Sequence, residues 1–96
     1  MLVLLLTIKY LIIMYKITKI VNAAETINLV FDDVKLAKEV FNDLKYDEFV
    51  RFVKLYGREI TKETKEKIVD GKLVCNEYNI SIPTFFVTIT LQYIED

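Results

Sequence analysis

The chain is 96 residues long, enough for one domain with a modest core of its own. Thirteen basic side chains against fourteen acidic ones leave a net charge of −1, which excludes a global electrostatic pull toward nucleic acid or an anionic membrane. Histidine is absent, which removes the commonest acid–base group near neutral pH and the commonest metal ligand, and the single cysteine, Cys75, excludes an intrachain disulfide and suits a reducing compartment.

The first 15 residues carry one charge, Lys9, and 11 of the first 13 are apolar. As a helix, 15 residues rise about 22 Å, short of the roughly 30 Å of hydrocarbon in a bilayer. Lys9 near the centre of such a span costs about 2.5–3.5 kcal/mol. A secretory signal places its positive charges before the apolar run, whereas Lys16 and Lys19 follow it here. The expectation is a hydrophobic N-terminal appendage, residues 1–13, on a single small α+β domain, residues 14–96. The alternative attaches the protein to a membrane through residues 1–15.

From Met14 the text MYKITKIVN alternates as a first strand, and TINLVFDD (26–33) reads as a second. In VKLAKEVFNDLK, apolar side chains at Val34, Ala37, Val40, Phe41 and Leu44 have helical spacing. Asp32 or Asp33 serves as its N-cap. The stretch 48–56 is dense in Phe, Val and Tyr and reads as a strand turning at Gly57, although Phe49, Phe52, Val53 and Tyr56 also fit a helix. TKETKEKIVDG (61–71) reads as a charged, peripheral second helix. Thr61 would cap it, Glu63 and Lys67 would form an i,i+4 pair, and Gly71 would stop it.

The last stretch, NISIPTFFVTITLQYI, alternates clearly. Phe85, Val87, Ile89, Leu91 and Tyr93 fall on one face, and Phe86 falls among threonines on the other. The phase reverses at Pro83, which suggests a bulge or a bend at a sheet edge. Together these elements predict an α+β layer: a mostly antiparallel sheet of four to five strands with two helices packed on one face.

Few groups point to chemistry. Asp32 and Asp33 resemble an Mg²⁺ pair at a strand end, but helix capping explains the same residues, and no metal or cofactor is expected. Cys75 and Ser81 have no histidine to act as base, so the chain is read as no enzyme. Between residues 50 and 72, seven basic side chains (Arg51, Lys54, Arg58, Lys62, Lys65, Lys67, Lys72) interleave with four acidic ones. That mixture suits a solvated face better than a phosphate-tracking stripe, and nucleic-acid binding through it is a further alternative.

What remains is Phe86, an aromatic in the wet register, joined by Tyr78, in the CNEYN connection that leads into the last strand, as candidate partner-binding residues. Ile, Lys, Tyr and Asn outnumber Ala, Gly, Arg and Pro, as in an AT-rich genome. The resulting expectation is a small, cytoplasmic, non-catalytic protein that binds another protein. A mobile-element product, phage or virus, that inhibits a host protein such as a defence nuclease fits this description.

Overall fold

A computed structural model describes residues 13–95. Five strands, β1 (Ile13–Val21), β2 (Ala24–Phe31), β3 (Thr61–Val69), β4 (Lys72–Ile82) and β5 (Phe85–Glu95), form one antiparallel sheet in the order β2-β1-β5-β4-β3. A single helix, α1 (Val34–Tyr56), links β2 to β3, with a 3-10 turn at Gly57–Glu59. The α+β expectation holds; two helices do not, because there is one. The proposed appendage, residues 1–13, lies outside the described residues apart from Ile13, where β1 begins.

Two hairpins have two-residue turns with both central residues at positive φ, the geometry that matches the right-handed twist of paired strands. In the β3–β4 turn these are Asp70 (53°) and Gly71 (75°). Gly71 therefore turns a hairpin and does not stop a helix. In the β1–β2 turn they are Asn22 (47°) and Ala23 (70°). Ala23 holds a conformation that costs an alanine about 1–2 kcal/mol. Asn22 anchors that turn to the start of β5: its backbone N–H donates to the Phe86 carbonyl and its Oδ1 accepts from the Phe86 N–H, both at 3.0 Å.

β4 and β5 meet at Pro83 and Thr84, with Ile82 paired to Phe85. The phase reversal at Pro83 is therefore a tight turn between two inner strands, and no edge bend is involved. Paired residues share a face, so the even positions of β4 and the odd positions of β5 point the same way.

α1 runs 23 residues, about 34 Å. β2 and β3 lie at opposite edges of the sheet yet run in the same direction, so the helix must cross over β1, β5 and β4 to join them. Its buried positions, Ala37, Phe41, Glu48 and Phe52, form one continuous stripe. Residues 48–56, expected as a strand, belong to this helix because no glycine or proline interrupts 45–49 and the i, i+3, i+4 spacing persists to Tyr56. Gly57 ends it at φ 70° and ψ −119°, backbone that only glycine adopts without strain. At the other end Asp33 is the N-cap, its carboxylate accepting from Lys35 N–H at 2.9 Å and Leu36 N–H at 3.4 Å. Asp33→Ala is expected to lower stability by about 1 kcal/mol, read from the denaturation midpoint, while Asp32→Ala has a smaller effect.

β3 is the other correction: residues 61–69 form an edge strand whose residues are all exposed. A helix of that length needs an apolar face to hold it, and this one has only Ile68 and Val69 at one end. Pairing with β4 supplies a backbone ladder instead, from Thr61 opposite Ser81 to Val69 opposite Lys72.

The core lies between α1 and the inner strands: Ile17, Ala37, Phe41, Phe52, Tyr78, Ile80, Val87, Ile89 and Leu91 are buried. Phe85 closes one end against Phe52 and Tyr56, with ring centroids 5.7 and 6.2 Å away. Among the described residues, no helix is long and apolar enough to cross a membrane.

Candidate protein-docking face

The sheet has two unlike faces. Toward α1 point Ile17, Lys19 and Val21 of β1, Tyr78 and Ile80 of β4, and Val87, Ile89 and Leu91 of β5. The opposite face carries Thr18 and Ile20 of β1, Cys75, Glu77 and Asn79 of β4, and Phe86, Thr88 and Thr90 of β5. Among the described residues no element packs on this second face.

Its centre is polar and internally bonded. Thr88 Oγ1 donates to Asn79 Oδ1 at 2.6 Å, and Asn79 Nδ2 donates to Glu77 Oε2 at 3.1 Å. One end is apolar: Phe86, 44% exposed, lies diagonally across the β1–β5 pair from Ile20. Both backbone polar groups of Phe86 are held by Asn22, so the ring projects from a fixed base.

Tyr78 does not join it. Expected in a connection, it stands in β4 on the helix side, 7% exposed, with the Lys45 ammonium 5.7 Å from its ring centroid. Burial, and then the negative charge of Glu48, push its hydroxyl above the ordinary tyrosine range. The two candidate residues thus occupy opposite faces, and Tyr78 is a core residue.

Cys75 is half-buried on the open face. Burial pushes its thiol up, Glu77 adds to this, and Lys67 opposite pulls it down. A raised thiol is a poor nucleophile at neutral pH. Asp33 is occupied in capping, and among the described residues no three Asp, Glu or Cys side chains gather as a metal site would require. The basic residues of 51–72 divide between elements and faces. Arg51 and Lys54 lie on α1, Lys62 sits over the Phe49 ring at 4.4 Å, and Lys65 and Lys67 point to the open side of β3.

One buried arrangement escaped sequence reasoning. Lys19 Nζ and Glu48 Oε2 meet at 2.9 Å between sheet and helix, their side chains 14% and 4% exposed. Neither position stands out in the sequence, because each is a charged residue in a run that holds another charge, Lys16 beside Lys19 and Asp47 beside Glu48. Asn76 Oδ1 is buried on the same side of the sheet and has no hydrogen-bond partner among the described residues. Compared with protein-family models, with curated proteins and with solved structures, the chain matches none.

Proposed function

We propose that this is a small non-catalytic module that binds another protein through the uncovered face of its sheet, with Phe86 as the apolar anchor and the threonines and Asn79 as its polar surround. Occluding a working surface on a host protein, as an inhibitor encoded by a phage or virus does, is the use that suits such a module. The setting proposed is the host cytoplasm, with membrane association through residues 1–15 as the runner-up. No cofactor enters this reading.

The observation that carries it is the exposure and the rigid seat of Phe86. Interface hot spots are typically aromatic groups on a preorganised base, ringed by polar side chains that exclude water once docked. The lack of histidine, and of any base for Cys75 or Ser81, supports a role without bond-making chemistry.

Capture of host proteins on the immobilised full-length chain tests it. Phe86→Ala is expected to weaken the captured partner's affinity by about thirtyfold, the effect of losing roughly 2 kcal/mol, with the melting temperature unchanged. Undiminished capture by Phe86→Ala, or a large loss of its stability, overturns the reading.

A further inference from the structure

We infer that the chain forms a two-fold dimer in which the free edge of β2 pairs antiparallel with β2 of a second copy. The two edges of the sheet differ in the property that governs edge pairing. β3 carries five charges in nine residues, Lys62, Glu63, Lys65, Glu66 and Lys67, the pattern that keeps an edge from templating another strand. β2 has one charge, Glu25, in eight residues, and no proline.

Its outer row of backbone groups has no partner strand among the described residues, since β2 pairs with β1 alone. Leu29 and Val30, on its two faces, are 40% and 54% exposed. Val34 and Leu36, in the first turn of α1 directly after β2, extend that apolar surface at 39% and 46%.

A second copy fits this edge better than an arbitrary strand. A two-fold axis at Asn28 sets Ile27 opposite Leu29 of the other copy, and Leu29 opposite its Ile27, within the regular part of β2 that lies beyond the bulge between Glu25 and Ile27. That apolar pair then stands on both sides of the axis, and Glu25, the lone acid, lies away from the Glu25 of the other copy. Pairing closes the assembly, because a two-fold contact consumes the less charged of the two edges that the described residues of each copy present. Both outer edges of the resulting ten-stranded sheet are then charged β3 strands. The axis stands perpendicular to the sheet, so both helices share one side and both copies of Phe86 the other. A protein docking there would meet two anchors in place of one.

Light scattering of the full 96-residue chain after gel filtration is expected to give a mass near twice 11.3 kDa. Leu29→Lys and Val30→Lys are each expected to halve that mass with an unchanged circular dichroism spectrum, and Phe86→Ala is expected to leave it intact. In a Cys75→Ser background, Asn28→Cys is expected to form a covalent dimer on mild oxidation with diamide, whereas Thr64→Cys on the β3 edge does not; this holds the test open should a lysine variant misfold. A monomeric or larger wild-type species, a dimer indifferent to both lysines, or cross-linking through Thr64→Cys in place of Asn28→Cys overturns the proposal.

Discussion

Glu48→Ala is expected to destabilise the protein by about 3–5 kcal/mol, a large share of the total stability of a domain this size. The carboxylate sits beneath the middle of α1, 4% exposed, with the Lys19 ammonium at 2.9 Å. Removing the acid leaves a cation that the sheet and helix hold away from water, and that uncompensated charge is the source of the cost. The pair as a whole is worth far less, because both ions lost their hydration on folding. Replacing the two together, Lys19→Met with Glu48→Leu, is therefore expected to restore wild-type stability or exceed it. Urea denaturation of the two single variants and the double variant checks this as a thermodynamic cycle. A Glu48→Ala loss below about 1 kcal/mol would show the pair to be screened by water, as exposed pairs are. Lys65 and Glu63 supply the contrast: at 3.7 Å and about 60% exposed, breaking their contact changes little.

Phe52→Ala is expected to cost about 3–5 kcal/mol, the loss of a buried aromatic together with the cavity it leaves. Phe52 is 1% exposed and packs edge-on to Tyr56 at 5.3 Å and against Phe85 at 5.7 Å. Leu55→Ala, three residues along at 61% exposure, is expected to stay within about 0.5 kcal/mol. The comparison also tests which side of α1 is buried. On a strand, Phe52 and Leu55 would point to opposite faces and Phe52 and Tyr56 to the same one. On a helix, Phe52 and Tyr56 are i and i+4 neighbours, while Leu55 lies about 100° round from Tyr56 toward solvent. Equal losses at 52 and 55 would contradict the burial of α1.

Where the text was legible, the signal was local and strong. The final strand announced itself by period-two alternation, and Phe86 was placed correctly in the open register because that period admits one assignment. The start of α1 was legible from Asp33, whose carboxylate meets two N–H groups as an N-cap should. The segment 48–56 was not, because Phe, Val and Tyr favour strands on propensity and the stripe that binds the helix together runs through Glu48. A buried glutamate reads as an interruption until Lys19, 29 residues earlier, is brought beneath it. Nor is Tyr78 legible: Gly71 reads equally well as a helix stop, and that reading hides the hairpin that makes residues 72–82 a strand.

By itself, then, the order of residues determined the α+β character, the one-sided burial of the last strand, the N-cap and the absence of histidine chemistry. Each depends on neighbours within a few positions or on composition alone. Tertiary structure decided that 61–69 is a strand, that 34–56 is a single helix, that a lysine and a glutamate pair between sheet and helix, and that Phe86 and Tyr78 face apart. Those outcomes rest on backbone hydrogen bonds and charge pairing between segments distant in the chain. Local propensity is worth only tenths of a kilocalorie per residue, and burial and pairing outweigh it.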